Sequence, residues 1–142
     1  MPDVRVLEAD PDLAASLAPG DLEEATRVAV ARSFRVERGP WRPPSGDDRG
    51  RALGILVVEG TLLRSLTIAD RGSTELLGSG DLLRPWQSDA DRGMLPFRVA
   101  WHVLEPAHLA VLDGRFAAAT ARWPAIAAEV VGRAMDRARW QG

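Results

Sequence analysis

The chain has no cysteine, lysine, asparagine or tyrosine among its 142 residues. Without cysteine it can form neither disulfides nor thiolate metal centres. No apolar run approaches the roughly 20 residues of a membrane-spanning helix. The N-terminus, Met1-Pro2-Asp3-Val4-Arg5-Val6, lacks a basic segment followed by an apolar one, so no secretory leader is visible and a cytoplasmic location is the default expectation. An excess of positive charge is lacking as well. The 18 basic side chains, all arginine, face 20 acidic ones for a net charge of −2. A nucleic-acid-binding surface is usually strongly basic, so these residues alone are not expected to grip DNA. Arginine without lysine reads as the codon bias of a GC-rich genome and points to a bacterial source.

A hydrophobic content of 46% in 142 residues is enough for one globular unit with a real core. Asp10 is a good N-cap and Pro11 suits a first turn, which predicts a short helix over 10–17. Asp21 with Glu24 three residues on reads as a capping box. Leu22, Ala25, Val28, Ala29 and Arg32 then follow helical spacing. Phe34 to Val36 reads as an edge strand. Residues 38–50 read as a loop, because their Gly and Pro content speaks against a regular element, with Trp41 as its anchor in the core.

From Leu53 to Leu112 the pattern is β. Leu53 to Val58 is apolar on both faces, as in a strand buried between two sheets. Residues 53–68 read as a hairpin turning at Glu59-Gly60. Residues 74–86 read as a second hairpin, with Gly78 and Gly80 supplying the turn and Asp81 bonding the backbone beside it. Phe97, Val99, Trp101 and Val103 alternate onto one face, a turn follows at Glu105-Pro106, and Ala107 to Leu112 is a further strand. Asp113 caps a short helix over 116–122, and a longer one runs from Pro124 to about Trp140. Six or more short strands at this spacing fit a sandwich or barrel, and the order of elements is α+β.

The succession of Leu53 to Val58, Gly60, Thr61 to Ile68, Glu75 to Leu77 and Gly80-Asp81 resembles the effector domain of Crp/Fnr-type transcription regulators, over about Phe34 to Arg139. The resemblance implies an antiparallel β jelly roll of the cyclic-nucleotide-binding type, flanked by N-terminal helices and a long C-terminal helix. The expected division is an N-terminal helical segment over 1–33, the jelly roll over 34–112 and C-terminal helices over 113–142, all one globular unit. It further implies a bacterial sensor and dimerisation domain, not an enzyme, whose DNA contact belongs to a helix-turn-helix domain absent from this chain.

The family holds its cyclic phosphate with a Gly-Glu pair for the ribose and an Arg-Ser or Arg-Thr pair for the phosphate. At the corresponding place this chain reads Arg84-Pro85, and before the strand at Phe97 it reads Gly93-Met94-Leu95-Pro96. Both prolines also remove N–H donors. The usual mode of cyclic-nucleotide binding is therefore not expected. Arg84, Arg92 and Arg98 are candidates for a different anion site. Arg84, Trp86, Arg98 and Trp101 together make the candidate ligand set, for an effector of unidentified chemistry. A free-standing small-molecule-binding jelly roll is the alternative. A cupin-like metal enzyme is a distant third, because His102, Glu105 and His108 lack the cupin His-x-His spacing. No cofactor or metal is expected.

In the last helix, Ile126, Ala127, Val130, Val131, Ala134, Met135 and Ala138 fall on one side at 100° per residue. That apolar arc is about 180° wide, more than the ~100° stripe of one packing contact. One edge is expected to rest on the jelly roll. The other is expected to form a parallel homodimer through Ala127, Val130, Val131, Ala134, Met135 and Ala138.

Overall fold

The computed structural model describes residues 2–44, 52–84 and 97–141, with side chains for all of these except 97 and 135–141. The chain runs β1 (Asp3–Arg5), α1 (Val6–Ala9), two short 3-10 turns (Pro11–Ala14 and Pro19–Asp21), α2 (Leu22–Val28), β2 (Val30–Val36), β3 (Gly39–Trp41), β4 (Gly54–Ile68), β5 (Arg71–Leu77), β6 (Leu82–Leu83), β7 (Phe97–Leu112), α3 (Gly114–Ala119) and α4 (Pro124–Gln141). The strands among the described residues belong to one antiparallel sheet with the order β1-β2-β7-β4-β5. On the outer edges of the two long strands, β3 also pairs with β7 and β6 with β4. This is the jelly-roll arrangement expected from the resemblance.

The two long strands organise the sheet. β4 and β7 pair from Gly54–Leu112 at one end to Ile68–Phe97 at the other, with register shifts between Val57 and Leu62. Glu59-Gly60 is therefore not a hairpin turn but part of a bulge inside a 15-residue strand. Pro106, expected to end a strand, lies inside the 16-residue β7 instead. Gly60 and Pro106 both fall where the register is broken, so the missing N–H of Pro106 costs no ladder bond. The hairpin turn lies further on, at Ala69-Asp70, both with positive φ (48° and 67°). Two such residues match the right-handed twist of the flanking strands. The expected pairing within 74–86 is also corrected: β5 and β6 each pair with β4, at Leu62–Ile68 and Ile55–Leu56, and not with each other.

Two cores lie on opposite faces of β4. Leu56, Ala110 and Leu112 pack against Val6, Leu13, Ala25, Phe116, Trp123, Ile126 and Val130 from the helices. Ile55, Val57, Leu62, Leu77, Trp101, Val103 and Leu109 fill the interior of the roll. Residues 53–58 are apolar on both faces because helices cover one face and the roll encloses the other. They are not sandwiched between two sheets.

In the first third of the chain the structure departs from the sequence reading in several places. The region expected to be helical contains β1 and the start of β2. Helix α2 stops at Val28, because Ala31 and Ser33 are buried with period two and the strand pattern prevails over helical spacing. β2 is an edge only at its far end, since β1 covers Val30–Arg32. Within the expected loop, Gly39–Trp41 pairs with Trp101–Val103, with Pro40 on an outer strand where it removes no interior ladder bond. Asp10 and Asp21 make no side-chain cap bond. Asp113 does cap, accepting from the Phe116 N–H at 2.9 Å.

Candidate functional site

The register places four residues in one row across the interior of the roll. Glu75 on β5 is opposite Arg64 on β4, Arg64 is opposite Trp101 on β7, and Trp101 is opposite Trp41 on β3. Below this row Leu77, Leu62 and Val103 are fully buried, and above it the face opens through Ser73, Leu66 and Val99. The row therefore lies where the core gives way to solvent. Trp101 is 8% exposed and meets Trp41 edge-on, with ring centroids 6.1 Å apart. Phe34 extends the cluster, 6.3 Å from Trp41. The Arg64 guanidinium carbon is 5.9 Å from the Trp101 ring, and an Arg64 nitrogen is 3.7 Å from a Glu75 carboxylate oxygen. These two side chains keep only 21% and 13% of their exposure. A cation held at an aromatic wall, beside a carboxylate, can meet a planar or polar small molecule with stacking and with N–H donors.

The expected ligand residues separate in this frame. Trp101 lies in the interior row. Arg98 is exposed, opposite Thr67, and alternation along β7 puts it on the other face of the strand from Trp101. It does not share a site with that ring. Arg84 follows β6 and is half-buried, and its Nε is shielded from solvent without a hydrogen-bond partner among the described residues. Trp86 and Arg92 lie outside the described residues, as do Pro85 and Gly93 to Pro96. Sequence reasoning missed Arg64 and Glu75, and it took Trp41 only as an anchor. The signal that joins them is cross-strand register, which the misplaced turn at Glu59-Gly60 concealed.

A second polar junction lies on the helical face. Arg133 of α4 donates to both carboxylate oxygens of Asp10, at 2.5 and 2.7 Å, and to the Gly80 carbonyl at 2.9 Å. The hydrogen bonds it donates to Asp10 hold the Arg133 guanidinium above its ordinary range, against the opposing cost of burial. The turn it reaches is closed on itself, with the Gly78 N–H donating to Asp81 Oδ2 at 2.7 Å. The same turn is fastened to β4, because Gly80 N–H donates to the Val57 carbonyl and Val57 N–H to the Asp81 carbonyl.

Of the residues expected at a dimer interface, Val130 is buried in the chain's own core beside Ile126, and Ala127 and Ala134 are half-buried. Val131 is 41% exposed. The Met135 and Ala138 side chains lie outside the described residues. His102 and Glu105 are exposed and His108 half-buried, and among the described residues no group of three His, Asp or Glu could hold a metal ion. No helix among the described residues is long and apolar enough to cross a membrane.

No family model matches the sequence, and no curated protein matches it. Solved structures do. A catabolite activator protein from Thermus thermophilus is 25% identical with a TM-score of 0.56, over 91% of this chain and 60% of that one. A CooA variant from Carboxydothermus hydrogenoformans is 18% identical with a TM-score of 0.55, over 90% and 78%. The N-terminal domain of a transcriptional regulator from Streptomyces coelicolor is 18% identical with a TM-score of 0.52, over 94% and 93%. The chain thus spans less than two thirds of the Thermus protein but nearly all of the Streptomyces domain. With its long paired strands, enclosed core and trailing helix, the chain is similar to these Crp/Fnr-type regulators and has their fold, the jelly roll of the cyclic-nucleotide-binding type.

Proposed function

We propose that this chain is the sensor and dimerisation domain of a Crp/Fnr-like transcription regulator in the bacterial cytoplasm, and that it does not take cyclic nucleotide in the family's usual way. The observation that carries the reading is the two-sided character of α4. Ile126 and Val130 are spent on the chain's own core, while Val131 stays 41% exposed. Ala127, Val131, Ala134 and Ala138 recur at steps of four, three and four residues, the spacing of a helix–helix seam. Small alanines on that seam let two helix backbones approach closely.

The ligand side of the proposal rests on Arg84-Pro85 standing where the ribose-binding Gly-Glu would be, and on Gly93-Met94-Leu95-Pro96, immediately before Phe97, standing where the phosphate-binding Arg-Ser or Arg-Thr pair would be. An effector would instead meet Trp101, Arg64 and Trp41 in the roll. Sequence-specific DNA contact is assigned to a helix-turn-helix outside residues 1–142. Thermal unfolding with millimolar cyclic AMP or cyclic GMP tests the nucleotide claim. A ligand at 100 times its Kd would stabilise the fold by about 2.7 kcal/mol and raise Tm by several degrees. No shift is expected. A saturable rise of that size contradicts the reading.

A further inference from the structure

The segment from Asp10 to Ser16 lies along α4 and is fastened to it at both ends. At one end Arg133 takes both oxygens of Asp10. At the other, Ser16 Oγ donates to Glu129 at 2.7 Å. Glu129 and Arg133 are one helical turn apart, so they present their polar groups on one side of α4. Between the fasteners, Leu13 is 1% exposed, packed in the core that holds Ile126 and Val130. The 3-10 turn Pro11–Ala14 is therefore laid along the helix by one apolar anchor and two polar ends.

We infer that residues 10–16 form a strap that holds α4 against the jelly roll, and that Arg133 is the joint where the Gly78–Asp81 turn and the strap meet on the helix. The third bond of Arg133, to the Gly80 carbonyl, ties the strap to β4 through Val57. A displacement of that turn loads one guanidinium, and through it both the strap and the helix. The geometry leaves room for such movement, because a groove of about 370 Å³ opens beside the junction, lined by Asp12, Val58, Ser79 and Glu129 among others. Past Arg133 the helix continues for about two turns with neither fastener. The strap acts within one chain. It deepens the proposed sensor role by naming what holds the helix, and it does not require the dimer.

Backbone amide exchange on the full chain tests this. Losing a charge-assisted, partly buried pair is expected to speed exchange in the 126–134 stretch of α4 about tenfold in Asp10→Ala. Amides in the centre of β4 and β7 should keep their wild-type rates. Arg133→Lys, which can reach one partner but not present a two-pronged fork, should fall between wild type and Asp10→Ala. Ser16→Ala should speed the same amides by a smaller factor. Unchanged exchange in α4 for Asp10→Ala overturns the strap, and so does an equal rise in β4 and β7, which would mean general destabilisation. A monomeric wild type with the expected exchange pattern would end the dimer reading and leave the strap standing.

Discussion

Gly60 lies so close to Ala107 that a Cβ on it would stand 2.5 Å from the Ala107 Cα and 2.6 Å from the Pro106 carbonyl oxygen. Its φ of +104° adds a conformation that side chains resist. Both costs fall on backbone atoms where β4 and β7 change register, so neither strand can give way alone. Gly60→Ala is expected to cost about 3 kcal/mol through strain and overpacking. Chemical denaturation checks this, and a loss below about 0.5 kcal/mol, the range of an ordinary surface change, would contradict it.

Helix caps give a paired prediction. Asp113 accepts the Phe116 N–H, whereas Asp21 makes no side-chain cap bond. Asp113→Ala is expected to lower stability by about 1 kcal/mol. Asp21→Ala should stay within about 0.5 kcal/mol of wild type. Two equal losses in thermal or chemical unfolding would refute the assignment.

Glu24 accepts from Arg27 and also pairs with Arg122 across the surface at 3.3 Å. The hydrogen bond from Arg27, opposed by slight burial and aided by the charges of both arginines, holds its carboxyl below the usual glutamate range. A lowered folded value means that the pair's small contribution is present above the unfolded pKa and is lost as pH falls through the folded one. An NMR titration should place the Glu24 carboxyl midpoint lower in the folded chain than in urea. Arg27→Gln should raise it. Equal midpoints in the folded and denatured chains would contradict the pairing, and high salt should narrow the difference because the groups are exposed.

What could be read from the sequence was local or inherited from family order. The jelly roll, the Asp113 cap, the shared face of Val99, Trp101 and Val103, and the packing of one edge of the α4 arc against the chain's own core are all present in the structure. The misreadings concern long-range pairing. Glycine and proline at Gly60 and Pro106 look like turn signals, yet in two long paired strands they mark a shared irregularity. Ala69-Asp70 makes the real turn without glycine, a choice that residue type hides. The same slip hid the Glu75–Arg64–Trp101–Trp41 row, because only the correct register brings four strands into line. Asp10 was legible as polar punctuation, but its partner lies 123 residues away on α4. Local spacing carries no information about such a contact.

The most direct test of the account is sedimentation equilibrium of residues 1–142 at tens of micromolar, in parallel with Val131→Glu. Val131 is exposed on α4, so a charge there leaves the chain's own core intact while placing like charges on both sides of the proposed seam. Dimerisation through α4 predicts a dimeric wild type and a folded, monomeric Val131→Glu. A monomeric wild type, or a variant that dimerises as well as wild type, would contradict dimerisation through this helix.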